Sequence, residues 1–269
     1  MIKEKIRKIF NDEPPENPDK ELLRQLISFL DLTTLEGNDN KNSIDRLCNR
    51  AMELGEMGLP EPAAICVYSP FVRKAKELLS GTDILVAAVT GFFPSGQAPL
   101  FLKLEEVRFA LDEGADELDM VISRGKLLEG EENFVFDEIA AIRQAAGNIH
   151  LKVILETGEL KTPEVIRKAS EIAIAAGADF IKTSTGKSVP AATEEAAYVM
   201  LQVIKEHYLG TGDMKGFKPA GGISDPLQAM RYYILVKQIA GKEWLTKDLF
   251  RIGASRLADN LVKEIFTTK

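Results

Sequence analysis

Lys182 sits in the stretch Asp179-Phe180-Ile181-Lys182-Thr183-Ser184-Thr185-Gly186-Lys187, which begins apolar and β-prone and ends in a hydroxyl-rich turn. An ammonium inside a buried strand loses its hydration, a cost that packing alone does not offset. The same desolvation favours the neutral amine, which is a nucleophile. The Gly186-Lys187 step that follows offers backbone N–H groups and a point charge to an anion. A solvent-facing strand lysine is the alternative, and this segment alone does not choose between them.

Strand side chains alternate between faces, so further charged residues can be sorted by the apolar residues beside them. Leu118, Met120 and Ile122 form one face of their segment, leaving Glu117, Asp119 and Val121 on the other. Leu151, Val153 and Leu155 oppose Lys152, Ile154 and Glu156. Ile181 opposes Phe180, Lys182 and Ser184, and Phe217 opposes Gly216, Lys218 and Ala220. Four consecutive strands thus aim Asp119, Lys152, Lys182 and Lys218 at one enclosed space. Singly each has a plain reading: a paired core carboxylate, its counter-ion, a Lys-Pro turn. Jointly, three lysines and one carboxylate leave surplus positive charge in low dielectric, and like-charge repulsion then lowers the pKa of at least one lysine.

The elements that must position these residues alternate along the chain. Strand candidates are Phe29–Thr33, Ala63–Tyr68, Ile84–Thr90, Ala115–Ile122, His150–Thr157, Asp179–Ser184, Gly216–Gly221 and Phe250–Ala254. Helical spacing fills the gaps, as in Ile44, Leu47, Cys48 and Ala51 or Leu100, Leu104, Val107 and Leu111. Thr162-Pro163 opens one helix in Ncap–N1 order and Gly177 closes it; Gly114 and Gly147 close others. Eight βα units in this length predict an α/β chain folded as a (β/α)8 TIM barrel. An open doubly wound sheet is the rival, but no G-x-G-x-x-G follows the first strand. Residues 1–28 read as a short N-terminal helical extension, with helices over Ile2–Phe10 and Lys20–Ile27 and a linker between, and residues 29–269 as the barrel.

The ends of the last three strands predict an anion site. Thr185-Gly186-Lys187-Ser188, Gly221-Gly222-Ile223-Ser224 and Gly253-Ala254-Ser255 are glycine-bearing loops on one barrel face. Barrels bind phosphate with such loops and a helix N-terminus. The expected phosphate contacts are Gly186, Lys187, Gly221, Gly222, Ser224, Gly253 and Ser255.

Composition narrows the partners. The 269 residues are 45% hydrophobic and 28% charged, with net charge -7 and pI near 5.2, so the chain lacks the basic balance of a nucleic-acid binder. No apolar run approaches the roughly 18 residues of a membrane span, and Met1 to Phe10 lacks a signal-peptide core, so a cytoplasmic protein is expected. Cys48 and Cys66 are the only cysteines and suggest no disulfide framework. With only His150, at a strand entrance, and His207, at a helix end, a metal cluster is disfavoured. Cys66 reads as a small buried filler rather than a nucleophile, and Trp244 as packing against a helix from the loop before the last strand.

Seven stretches together resemble the deoxyribose-phosphate aldolase family, class I aldolases on a (β/α)8 barrel. They are Asp31-Leu-Thr-Thr-Leu35, Ala64-Ile-Cys-Val-Tyr68, Ala115-Asp-Glu-Leu-Asp-Met-Val121, Lys152-Val-Ile-Leu-Glu-Thr157, Ala178-Asp-Phe-Ile-Lys-Thr-Ser-Thr-Gly-Lys187, Gly216-Phe-Lys-Pro-Ala-Gly-Gly-Ile223 and Phe250-Arg-Ile-Gly-Ala-Ser255. The resemblance implies reversible cleavage of 2-deoxy-D-ribose 5-phosphate to D-glyceraldehyde 3-phosphate and acetaldehyde through a lysine Schiff base, without metal or other cofactor. It implies Lys182 as the Schiff-base lysine, Lys218 as the lysine that depresses its pKa and Asp119 as a proton-relay carboxylate. Lys152, Asp31, Thr33 and Cys66 are implied pocket residues. The partners expected are thus small molecules, with no nucleic acid and no membrane; homo-oligomerisation is left open.

Three departures bear on the rim. Ser224 stands where many relatives place a basic residue, with Arg256 as a substitute. Gly91-Phe-Phe-Pro-Ser-Gly96 is one residue longer than the family's usual loop, and Phe266-Thr-Thr-Lys269 lacks the terminal tyrosine of some members. The competing readings are a Schiff-base aldolase acting on a ketose phosphate and a non-catalytic sugar-phosphate binding module.

Overall fold

The computed structural model describes residues 2–15 and 18–267; Met1, Glu16, Asn17 and the last two residues of the expected tail, Thr268 and Lys269, lie outside the described residues. Two helices come first, α1 (Ile2–Asp12) and α2 (Lys20–Ser28), followed by β1 (Leu30–Thr33), α3 (Lys41–Glu56), β2 (Ala64–Tyr68), α4 (Val72–Leu78) and β3 (Leu85–Thr90). The middle of the chain gives α5 (Leu100–Asp112), β4 (Glu117–Val121), α6 (Arg124–Leu128), α7 (Glu132–Ala146), β5 (His150–Ile154), α8 (Thr157–Leu160) and α9 (Pro163–Ala175). Then come β6 (Phe180–Lys182), α10 (Glu194–Thr211), β7 (Gly216–Lys218), α11 (Pro226–Leu235), β8 (Ile252–Ala254) and α12 (Leu257–Thr267).

All pairings are parallel, in the order β7-β6-β5-β4-β3-β2-β1-β8. Parallel bridges Phe217↔Phe250 and Ala220↔Gly253 join the two edges and close the (β/α)8 barrel. Closure removes the unpaired strand edges that an open sheet would expose. The chain is punctuated where its sequence requires. Thr162 accepts a bond from the Val165 N–H with Pro163 at the first helical position, and Gly177 follows α9 at φ +100, a backbone that only glycine takes without strain.

The strands are shorter than their apolar runs predict, for local reasons. Phe29 caps the C-terminus of α2 instead of opening β1. Glu156 adopts a left-handed φ of 56, which breaks the extended run after Ile154, and Thr157 opens α8. Pro219 has no N–H for the ladder and ends β7.

Each strand separates two interiors. Leu118, Met120, Leu151, Val153, Ile181 and Phe217 join one large apolar core between barrel and helices. A smaller cluster inside the barrel holds Leu35, Cys66, Ala87, Val89, Phe93, Val121 and Ile154. The outward and inward sets expected for β4 to β7 are therefore those observed. Ile6 of α1 and Leu23, Leu26 and Ile27 of α2 bury into the outer core, α1 against α10 and α11, α2 against α12. Trp244 is fully buried, its indole N–H donating to the Lys215 carbonyl at 2.9 Å and its ring meeting Tyr208 of α10 edge-on at 5.1 Å. No helix among the described residues is long and apolar enough to cross a membrane.

Gly216 has a packing role. A Cβ there would lie 2.3 Å from the Phe180 ring, which is itself buried at the barrel floor. Gly216→Ala is expected to destabilise the fold by about 1–3 kcal/mol, read as a lower urea midpoint. An unchanged midpoint would show that the ring has room to move.

Candidate active site

Register brings the interior charges together. Asp119 of β4 is the cross-strand partner of Lys152 on β5, and Lys182 of β6 is the partner of Lys218 on β7. Cross-strand partners share a face, so the Asp119–Lys152 and Lys182–Lys218 pairs both project into the barrel. One oxygen of Asp119, Oδ2, accepts from Lys182 Nζ at 2.7 Å and from Lys218 Nζ at 2.6 Å; Oδ1 accepts from Lys152 Nζ at 3.0 Å. Lys218 also donates to Asp31 Oδ2. Beneath them Lys152 donates to Glu117 at 2.5 Å, and Arg251 reaches Asp31 Oδ1 at 2.7 Å and Glu117 Oε1 at 2.9 Å. None of these seven side chains is more than 3% exposed.

The balance of charge differs from the sequence reading of three lysines and one carboxylate. Four cations meet three carboxylates, which leaves one positive charge in excess. Glu117 was sorted to the interior without a role, and Arg251 had no assigned face. Its alternation with Phe250 and Ile252, both in the outer core, is the signal that places it inside.

Burial alone pushes the Asp119 carboxyl up, but the ammoniums of Lys152, Lys182 and Lys218 outweigh it and hold the group well below the usual carboxylate range. Asp31 follows the same pattern, burial opposed by Lys218, Arg251 and Lys152, and is also lowered. Glu117 is lowered by Lys152, His150 and Arg251 against its own burial. Burial pulls Lys218 down, yet Asp119 and Asp31 outweigh it and raise it. Lys152 is likewise raised, by Asp119 and Glu117. Two of the three interior lysines are thus locked in the charged form. Burial, with Asp119 beside it, pushes the Cys66 thiol up, and its Sγ lies 3.9 Å from Asp119 Oδ2. Cys66 is therefore an inert neighbour of the cluster.

Lys182 is the interior lysine that reaches an open cavity. A cavity of about 150 Å³ at the C-terminal strand ends is lined by Lys182 and Thr33, by Arg256, and by all the expected anion contacts, Gly186, Lys187, Gly221, Gly222, Ser224, Gly253 and Ser255. Asp31, Asp119, Lys152, Lys218 and Cys66 are not in its wall but form or flank the ion cluster below Lys182. Gly221 needs its missing side chain: its φ is +88, and a Cβ would lie 2.8 Å from the Gly186 backbone. Two rim features had no clear signal in the sequence. Lys187 Nζ pairs with Glu36 at 2.9 Å across the cavity. The buried Glu156 carboxylate accepts from the Thr185 hydroxyl and, at 3.3 Å, from its N–H, which fixes the turn after β6.

His150 is half exposed at the opposite mouth, with Nδ1 3.6 Å from Glu117, and His207 lies 3.2 Å from Asp213 on the surface. No group of three or more His, Cys, Asp or Glu among the described residues is arranged to hold a metal ion.

A parallel (β/α)8 barrel with a buried lysine beneath a glycine-lined cavity at its C-terminal strand ends is the frame in which the comparison with known proteins stands. The profile of the DeoC/LacD family aldolases matches residues 25–240, and the chain belongs to that family. The human deoxyribose-phosphate aldolase is 44% identical over 257 residues, covering 91% of this chain and 80% of the relative. The mouse deoxyribose-phosphate aldolase is 43% identical over the same shares. The deoxyribose phosphate aldolase of Aeropyrum pernix, described as a unique tetramer, superposes with TM-score 0.73 at 24% identity over 97% of this chain and 98% of its own, a likeness of fold.

Acid should dismantle the cluster. Its carboxylates are held below their ordinary values, so the stability they contribute is present above roughly pH 4, the unfolded range, and is lost as pH falls below it toward their native values. Asp119→Asn leaves three ammoniums around a neutral amide and is expected to cost about 3–5 kcal/mol at pH 7, with a shallower loss of stability on acidification. Urea unfolding between pH 7 and pH 3 reads both; a cost within about 1 kcal/mol and an unchanged acid slope would contradict the pairing.

Proposed function

We propose that this protein reversibly cleaves 2-deoxy-D-ribose 5-phosphate to D-glyceraldehyde 3-phosphate and acetaldehyde, with Lys182 as the imine-forming residue. The observation that carries the proposal is the asymmetry among the lysines. Lys152 and Lys218 are held charged by carboxylates, while Lys182 alone of the three opens onto the cavity that carries the anion loops.

An ordinary lysine, at about 10.4, is almost wholly protonated at neutral pH and cannot attack a carbonyl. Lys218 supplies a permanent cation beside Lys182, and a fixed positive neighbour favours loss of the proton. The free Nζ lone pair adds to the C1 aldehyde of the open-chain sugar, and loss of water with uptake of one proton gives a cationic iminium. The C2–C3 bond then breaks as the C3 hydroxyl gives up its proton. Its electron pair passes into the C1–C2 bond and onto nitrogen, leaving an enamine and releasing glyceraldehyde 3-phosphate. Protonation at C2 and hydrolysis free acetaldehyde and the lysine. Asp119, in contact with Lys182, would carry protons to and from the Lys182 nitrogen, with Lys218 held charged beside it.

The loops around Gly186, Gly221, Gly222 and Gly253 hold the phosphate, with Lys187, Ser224, Ser255 and Arg256 at their edge. Anchoring the far end of the sugar aligns C1 with the amine. Lys152 and Asp31 keep Asp119 and Lys218 in place, and Thr33 lines the wall. The reaction requires no metal: an iminium is already the electron sink, and the interior carboxylates are engaged by Lys and Arg. The acidic, span-free composition and the two buried free cysteines support work in the cytoplasm. A mere sugar-phosphate binder would gain nothing from a buried amine beside a fixed cation.

Borohydride reduction in the presence of acetaldehyde, followed by peptide mass mapping, should place a two-carbon adduct on Lys182. Lys182→Leu should lose several orders of magnitude in turnover on deoxyribose 5-phosphate; near-normal activity would falsify the assignment. Arg256→Ala should raise KM for the phosphorylated sugar more than it lowers kcat, and an unchanged KM would remove Arg256 from the phosphate site.

A further inference from the structure

The ion cluster continues below the part that the cleavage uses. Arg251, immediately before β8, and Glu117 on β4 are each 1% exposed and lie outside the cavity wall. Arg251 joins Glu117 to Asp31, and Glu117 joins Arg251 to Lys152, so two chains of contacts lead up to Asp119 and thence to Lys182. Within this contact-linked set the carboxylates are Asp31, Glu117 and Asp119, and the cations other than Lys182 are Lys152, Lys218 and Arg251. Those six charges cancel.

We propose that Arg251 and Glu117 are positioning residues that set the proton occupancy of the Lys182 amine, because the cluster is electroneutral only when Lys182 is uncharged. The inference rests on Lys182 being the imine-forming amine. A charged Lys182 adds one unbalanced cation to this buried set, and low dielectric makes that excess costly. Arg251 is the cation that completes the balance, and no substrate atom in the cavity can reach it.

Other charged groups face Lys182 from the surrounding elements without joining the cluster. The Glu156 carboxylate, beyond β5, is turned to the Thr185 hydroxyl and N–H. Lys187, beyond β6, is paired with Glu36 from the loop after β1. Arg256, beyond β8, sits at the cavity rim, and Cys66 on β2 is a raised, neutral thiol. His150, on β5, touches the cluster only through Glu117 at the far mouth.

The signature of this role is a pair of opposite shifts. Arg251→Met removes a positive charge, favours the ammonium form of Lys182, and moves the pH midpoint of its reactivity to alkaline values. Glu117→Gln removes a negative charge and moves it to acid. At an effective dielectric near 20, one charge a few side chains away corresponds to a shift of about one pH unit. Arg251→Lys, which keeps the charge, should leave the midpoint in place, and the Arg251→Met/Glu117→Gln double variant should return it toward the unaltered protein.

The test is pH-resolved trapping of acetaldehyde on Lys182 with cyanoborohydride, read by peptide mass mapping and referenced to the unaltered protein at each pH. Opposite shifts with recovery in the double variant support the proposal. Trapping on Lys182 with the same midpoint in every folded variant, or shifts of one sign in both single variants, overturns it. Should Arg251→Met fail to fold, the near-isosteric Glu117→Gln and the charge-balanced double variant decide by the same criterion. Failure of the unaltered protein to trap acetaldehyde at Lys182 at any pH would instead overturn the reading of the reaction itself.

Discussion

One carboxylate organises the interior: Asp119 accepts from three lysine amino groups at once, two of them on a single oxygen. Buried charges persist in a protein only when they are paired and hydrogen-bonded. That condition governs the inner faces of the strands. Asp31 and Glu117 extend the pairing, Arg251 closes it from the segment just before β8, and the Phe180 ring, accommodated by the missing side chain of Gly216, covers the floor close to Lys152 and Arg251. Barrel interiors are ordinarily filled by layers of branched apolar side chains. In this barrel such residues form only a small cluster beside the charges.

A polar interior needs stability from elsewhere. The outer core, between strands and helices, supplies it, and the two N-terminal helices add to the same core. This division makes the site rigid without making it inert. The apolar outer face fixes the strands, register sets the lysines opposite one another, and the charges then have no freedom to separate. The interior opens at the end where glycine-bearing loops leave a cavity and Lys182 reaches it. Lys152 and Lys218 lie below it, held in the charged form by the carboxylates.

Much of this was legible in the residues, because period-2 alternation beside strong apolar neighbours assigns faces reliably when the outer face is covered by helices. Asp119, Lys152, Lys182 and Lys218 were placed together on that ground, and the three glycine-bearing loops converge as expected on one rim. What escaped had physical reasons. Arg251 lies just ahead of the three residues of β8, and its face shows only through its neighbours Phe250 and Ile252, both in the outer core. Glu117 resembles any strand-end carboxylate until register puts it between Lys152 and Arg251. The left-handed backbone at Glu156 and the Lys187–Glu36 contact are tertiary facts, set by loops that meet only after closure. The expected excess of cations was right in sign but too large, since the count omitted two carboxylates as well as the arginine.

The central claim is that carboxylates hold Lys152 and Lys218 charged, while Lys182, which alone of the three reaches the cavity, is the amine proposed to form the imine. Heteronuclear NMR of protein labelled at lysine Nζ, assigned by single substitutions and followed through an alkaline titration, tests it most directly. The account predicts that the Lys182 signal passes to the neutral-amine form at a lower pH than those of Lys152 and Lys218, which remain ammonium after it. Titration of Lys152 or Lys218 ahead of Lys182 would contradict it.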